Sequence, residues 1–135
     1  MQSERTKEFS PDDVITALLV FLPDEFSNDP EKIHTTIRKL QQEEKYKDLL
    51  EGFEFINYLR FPYSSLLGRI LNRLQESRLL SSRNPGYMVY ETEKSSRDAI
   101  ESYFLSEGKI LYEYRDKLEE IAGRLAQELK VKDDE

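Results

Sequence analysis

The sequence contains no cysteine, no tryptophan and only one histidine, His34, among its 135 residues. Without cysteine the chain forms neither disulfides nor thiolate metal sites, which fits a reducing compartment. It also has no glycine-rich phosphate-binding loop, and neighbouring acidic residues diverge by about 100° on a helix, so they do not form paired carboxylates. We therefore expect no enzyme, no metal and no cofactor, with His34 as a partly exposed surface residue.

Long apolar runs are also missing. No run approaches the roughly 18 residues that cross a bilayer, and the N-terminal sequence MQSERTKEFS does not resemble a signal peptide. Hydrophobic residues make up 38% of the chain and charged residues 35%, enough for one modest core under a heavily solvated surface. These features predict a cytoplasmic protein with no membrane partner.

Positive charge is scarce everywhere except in one segment. The chain carries a net charge of −7, but residues 59–90 hold five arginines and one glutamate. The planar guanidinium group of arginine suits phosphates and guanine edges, so this clustering favours nucleic-acid binding. The alternative is that these arginines form ion pairs with the acidic segments on either side.

The basic segment contains an amphipathic helix predicted over residues 64–77, capped by Ser64 or Ser65. At about 100° per residue its apolar side chains share one arc. The members of that arc are Leu66, Leu67, Ile70, Leu71 and Leu74. The opposite arc holds Ser65, Arg69, Asn72, Arg73 and Glu76. One face is thus expected to pack and the other to meet a ligand.

Two short apolar runs follow this helix. Leu79 and Leu80 can start a strand, the turn-forming sequence at 84–86 can reverse the chain, and residues 88–90 can return antiparallel. The expected order is helix, strand, wing, strand.

Three further helical segments are predicted before the basic segment. One runs from Pro11 to Leu22 with Ser10 as its cap, and a second begins after Asp29 and ends near Glu44. A third amphipathic piece spans 46–58, either as a separate helix or as a bent continuation of the second, with Leu49, Leu50, Phe53 and Ile56 pointing inward. The segment 24–30 is expected to be a loop and 1–9 flexible.

The C-terminal part is predicted to be one long helix from about Arg97 to Val131, with a break possible at Gly108. Its apolar stripe consists of Leu111, Tyr114, Leu118, Ile121 and Leu125. Because the stripe is narrow and the helix long, we expect it to pair with a second copy. The alternative is that it folds back on the helices at 12–58. This predicts a domain at 10–95, a dimerisation helix at 96–132 and an acidic tail at 133–135.

The segment 61–103 resembles the winged helix-turn-helix proteins, in particular PadR-like and MarR-like regulators. The similarity lies in the leucine-rich helix, the leucine pair at 79–80, the basic wing and the sequence YETEK at 90–94. Arg78 and Ser95 stand where those families usually have glycine. The expected fold class is therefore mainly α with a small antiparallel β-hairpin, a winged helix-turn-helix with a long C-terminal helix.

The resemblance implies that the chain is a transcriptional regulator that binds double-stranded DNA as a homodimer. The implied base-reading residues are Ser65, Arg69, Asn72 and Arg73. Arg60 and Tyr63 would contact the phosphate backbone, and Arg83 with Asn84 would reach flanking phosphates or the minor groove from the wing. The alternative is an acidic, antitoxin-like protein-protein interaction module that binds a protein partner and no nucleic acid.

Overall fold

The computed structural model describes residues 9–57, 60–83 and 88–131, and in these ranges the protein is mainly helical with small antiparallel sheets. The helices are α1 (Pro11–Phe21), α2 (Pro30–Gln41), α3 (Lys47–Leu50), α4 (Ser65–Glu76), α5 (Lys94–Ile100) and α6 (Arg115–Glu128). The strands are β1 (Glu25–Ser27), β2 (Ile56–Asn57), β3 (Pro62–Tyr63), β4 (Ser81–Arg83) and β5 (Val89–Glu91). The predicted combination of helices with an antiparallel hairpin is confirmed.

Side-chain caps start the first two helices where the sequence predicts them. The hydroxyl of Ser10 accepts a hydrogen bond from the Asp13 N–H at 3.3 Å, and the Asp13 carboxylate accepts one from the Ser10 N–H at 2.9 Å. Asp29 caps α2 by accepting a hydrogen bond from the Glu31 N–H at 3.0 Å. Each bond satisfies a backbone donor that the first helical turn leaves without a partner.

A three-stranded sheet has β5 in its centre, between β1 and β4. Phe26 of β1 lies opposite Tyr90 of β5, and their rings meet edge to face at 5.7 Å. The prediction of a loop at 24–30 was wrong for Glu25–Ser27, because the buried Phe26 and the pairing with β5 make this segment a strand.

The predicted helix at 46–58 was also wrong beyond its first turns. A 3₁₀ turn (Glu44–Tyr46) and α3 lead to Gly52, after which the chain extends and β2 pairs with β3. The side-chain amide of Gln41 donates to the carbonyl oxygens of Leu50 and Phe53, at 2.8 and 2.6 Å. These bonds satisfy carbonyl oxygens at the last residue of α3 and in the segment that follows it. Ile56, expected to point inward, is 58% exposed.

The single C-terminal helix predicted over 97–131 is divided into pieces. A π-helix (Glu101–Leu105) follows α5, Gly108 adopts a left-handed conformation with φ of 85°, and a 3₁₀ turn (Tyr112–Tyr114) precedes α6. The break at Gly108 therefore exists, because glycine accepts positive φ without steric cost. Arg115 closes the reversal by donating to the Leu105 carbonyl oxygen at 3.2 Å.

The core is one cluster that both halves of the chain share. Helix α1 lies at its centre, and α6 packs against α1 and α2. The buried residues of α6 are Leu118, Ile121, Ala122 and Leu125. The C-terminal segment therefore folds back on the N-terminal helices, as in the alternative stated above. In the described ranges, each helix is too short or too polar to cross a bilayer.

Candidate nucleic-acid interface

Helix α4 presents a polar face to solvent, as its sequence predicts. Its exposed residues include Ser65, Arg69, Asn72, Arg73 and Glu76. Leu67, Ile70 and Leu74 on the opposite face are at most 5% exposed. The two faces follow from the 3.6-residue period, and the exposed face carries two guanidinium groups, one carboxamide, one hydroxyl and the carboxylate of Glu76.

The start of α4 is fixed by a relay from α2. The Ser64 hydroxyl accepts a hydrogen bond from the Leu67 N–H at 3.2 Å, and the Ser64 N–H donates to His34 Nδ1 at 3.1 Å. His34 is only 2% exposed, so the prediction of a surface histidine was wrong. Burial lowers the pKa of His34 from its usual 6.5 to about 4, which keeps the imidazole neutral and Nδ1 able to accept. A lone histidine gives no sequence signal for such a positioning role.

Tyr63 supports the same helix. Its ring stacks on the His34 ring with centroids 4.4 Å apart, and its hydroxyl lies against Gly68, where an added Cβ would be 2.6 Å from the oxygen. A side chain at residue 68 would occupy the space of this hydroxyl, which is why glycine fits there. Tyr63, predicted as a phosphate contact, is half-buried and positions α4.

A Schellman motif ends α4. The Leu79 N–H donates to the Leu74 carbonyl oxygen and the Arg78 N–H to the Gln75 carbonyl oxygen, both at 3.0 Å. Arg78 has φ of 71°, a left-handed conformation that glycine adopts more easily. Residue 78 thus has a backbone conformation that favours glycine but carries arginine.

The arginines of the basic segment fall into two groups. Arg73 forms an ion pair with Asp12 of α1, and Arg60 lies 3.7 Å from the Glu31 carboxylate of α2. The side chains of Arg69 and Arg78 have neither a hydrogen bond nor an ion pair in the described ranges. The ion-pair alternative thus holds for two arginines, while Arg69 remains available at the middle of the exposed face.

Strands β4 and β5 are attached to the side of α4. The Gln75 amide donates to the Ser82 hydroxyl at 3.0 Å, and the Tyr90 hydroxyl donates to Gln75 Oε1 at 3.5 Å. Arg83 pairs with Val89 through the backbone, but its side chain lies outside the part that the structure describes. The wing tip with Asn84, the N-terminal residues 1–8 and the tail 133–135 lie outside it as well.

The predicted dimerisation stripe is used inside the single chain. Leu111, Leu118, Ile121 and Leu125 are at most 3% exposed, so they cannot also form a contact with a second copy. Tyr114 is half-buried, with its ring edge to face with Phe9 at 5.1 Å. The sequence argument for pairing assumed that nothing in the chain could cover this stripe, but α1 and α2 cover it.

Other features give little support for a small-molecule site. In the described ranges no three His, Asp or Glu residues are placed to hold a metal ion. A cavity between α1, α2, α4 and α6 has a volume of about 30 Å³ and an entirely apolar lining that includes Leu18, Ile37 and Leu67. That volume is close to the space of one water molecule, and nothing in its lining orients a polar ligand.

Comparison with known proteins gives no relative on which a function could be based. No family model, no curated protein and no solved structure matches the chain.

Proposed function

We propose that the protein binds double-stranded DNA through the exposed face of α4, as a transcriptional regulator of the winged helix-turn-helix type. The observation that carries the proposal is that Arg69 and Asn72 project from this face with no partner among the described residues. Helix α4, which carries both residues, is fixed in the fold by its buried apolar face and its capped first turn.

The surrounding elements support this assignment. The strands β4 and β5 follow α4 and pair antiparallel, which fits the helix and two strands that the resemblance implies. One difference counts against ordinary helix-turn-helix geometry, since α3 and the β2–β3 hairpin lie between α2 and α4. The hairpin brings Arg60, 83% exposed, to the chain segment that enters α4.

The chemistry of the face divides into base contacts and phosphate contacts. In a major groove, arginine pairs with the O6 and N7 atoms of guanine and asparagine with the N6 and N7 atoms of adenine. Arg69 and Asn72 are the residues for these contacts, with Arg60 and Arg73 near the backbone phosphates. Because the remaining molecule is acidic, the affinity for DNA is expected to be modest without a specific site and to fall steeply with salt.

The test is selection of bound sequences from a random duplex pool, followed by affinity measurements on variants. Arg69→Ala and Asn72→Ala are each expected to lower the affinity for the selected duplex by about 1–3 kcal/mol, roughly 5-fold to 150-fold. Both residues are exposed, so the variants should retain the wild-type circular dichroism spectrum.

Arg38→Ala is the matched control, because Arg38 is an exposed arginine on α2 outside the proposed face. It should change the affinity less than twofold, about the 0.4 kcal/mol that a single distant charge contributes. Equal losses of affinity for Arg38→Ala and Arg69→Ala would mean that net charge alone explains the binding, which would contradict the proposal. Failure to recover any bound duplex would also contradict it.

A protein-interaction module is the second candidate, and a specific observation favours it. Tyr103, Ile110 and Tyr112 are 69%, 37% and 44% exposed in the segment between α5 and α6. Exposed aromatic residues are enriched at protein interfaces. Heparin chromatography at low salt separates the candidates, since an acidic interaction module should flow through and a DNA-binding protein should be retained.

The homodimer that the resemblance implies stays a prediction. Because the stripe on α6 is buried, a second copy would have to use another surface, and a solution mass at several protein concentrations measures whether it does.

A further inference from the structure

A cleft between α1 and α4 contains the ion pair of Arg73 with Asp12. Its volume is about 430 Å³, and its lining includes Thr16, Ile70 and Glu76. Arg73 lies at the border of the exposed α4 face nearest α1, while Arg69 lies at the centre of that face. The cleft therefore joins the proposed DNA surface and would be adjacent to a bound duplex.

The Asp12 carboxylate has a second source of stabilisation besides Arg73. Asp12 lies in the first turn of α1, where the positive end of the helix dipole favours an anion. Its neighbour Thr16 donates its hydroxyl to the Asp12 carbonyl oxygen at 2.8 Å, which binds the backbone and not the carboxylate. Release of Arg73 would thus leave Asp12 in a favourable field and exposed to water.

The pair is also weak enough to exchange. The Arg73 side chain is 52% exposed and the Asp12 side chain 41% exposed. Ion pairs between side chains this accessible contribute little because water and salt screen them. A phosphate group, which arginine binds through the same two parallel hydrogen bonds as a carboxylate, can replace Asp12 as the partner.

We propose that Asp12 is an internal competitor for the anion site of Arg73, so that Arg73 binds a DNA backbone phosphate only after it releases the Asp12 carboxylate. The inference rests on the proposed function. It assigns Arg73 to phosphate contact and leaves base recognition to Arg69 and Asn72. In the resting cleft the carboxylates of Asp12 and Glu76 lie beside one guanidinium group, so the local negative charge disfavours a further anion.

The test is a double-mutant cycle measured by fluorescence anisotropy on the selected duplex and on a scrambled duplex. Asp12→Asn is expected to tighten binding about threefold to fivefold on both, since phosphates carry no sequence information. Arg73→Ala should weaken binding on both and lower the slope of log affinity against log salt by about one. In the Arg73→Ala background, Asp12→Asn should no longer raise the affinity for either duplex.

Asp98→Asn is the matched control, because Asp98 is an exposed aspartate on α5 that pairs with Lys94 at 3.0 Å. It removes the same charge and releases a cation, but away from α4. If Asp12 competes with phosphate for Arg73, Asp12→Asn should raise the affinity for DNA more than Asp98→Asn does. Thermal melts of all variants should show that each remains folded.

Two failures are distinguishable. Wild-type protein that binds neither duplex overturns the proposed function and this inference with it. If the wild-type protein binds through Arg69, two results overturn the competitor role alone. One is an equal change in affinity for Asp12→Asn and Asp98→Asn. The other is a gain in affinity from Asp12→Asn that persists in the Arg73→Ala background.

Discussion

Helices α4 and α6 have similar lengths and similar amphipathic patterns, yet their polar sides differ in how many partners they have within the chain. Both bury their apolar faces inside the single chain. From the sequence, the apolar stripe of α6 was expected to pack against a second copy, whereas in the structure α1 and α2 cover it. Periodicity thus identifies the face of a helix that is buried but not the element that buries it.

The polar sides of the two helices differ in their partners. On α6, Arg124 pairs with Glu43 at 2.9 Å, and Glu120 accepts a hydrogen bond from the Tyr46 hydroxyl at 2.9 Å. On α4, Arg69 and Asn72 have no such partner among the described residues. The charged side chains Glu120 and Arg124 of α6 are therefore tied to neighbouring elements, whereas Arg69 and Asn72 of α4 remain available for a ligand.

The largest expected effect concerns the buried side of α6. Leu118→Ala removes a side chain that is 0% exposed and should lower the free energy of unfolding by about 3 kcal/mol, from lost burial and the cavity left behind. Urea denaturation followed by circular dichroism measures the loss. Glu119→Ala, an exposed neighbour on the same helix, is the control and should change stability by less than about 0.5 kcal/mol.

This experiment also distinguishes the two uses of the stripe. If α6 packed against a second copy, the unfolding midpoint of the wild-type protein would rise with protein concentration. A midpoint independent of concentration is expected from packing within the chain. A concentration-dependent midpoint that Leu118→Ala abolishes would contradict the fold-back account.

The next effect concerns the relay that positions α4. His34 has a pKa of about 4 in the folded protein and near 6.5 when unfolded, so the unfolded chain binds the proton first as the pH falls. Stability should therefore decrease between pH 6.5 and pH 4, by about 2 kcal/mol from this group alone. Denaturation curves across this window for wild type and His34→Gln measure it.

The two proteins differ only at residue 34, so the comparison isolates the contribution of the histidine. His34→Gln should show the shallower pH dependence, because glutamine does not take up a proton there. Identical slopes for the two proteins would mean that His34 contributes no linkage.

The smallest effect concerns the end of α4. Arg78→Gly should raise the free energy of unfolding by up to about 1 kcal/mol, because glycine adopts positive φ without strain. Loss of a cation near the helix C-terminus offsets part of this gain. Arg78→Ala loses the same charge and keeps the strain, so Arg78→Gly should be the more stable of the two in thermal melts. The reverse order would refute strain at this position.

Local signals in the sequence predicted the helix starts and the exposed face of α4. Ser10 and Asp29 act through hydrogen bonds within a few residues, which a sequence displays directly. β1 and the fold-back of α6 depend on contacts between distant segments. The pairing of Arg73 with Asp12 also joins segments far apart in the chain, and no local sequence pattern predicts it. Long-range packing therefore explains most of the misassignments.

The central claim is that the exposed face of α4 binds duplex DNA. Amide chemical-shift mapping by NMR, during titration of the labelled protein with the selected duplex at low salt, tests it most directly. The account predicts that the largest shifts occur at Ser65, Arg69, Asn72 and Arg73. Shifts centred instead on Tyr103 and Tyr112, or no shifts at a saturating excess of duplex, would contradict it.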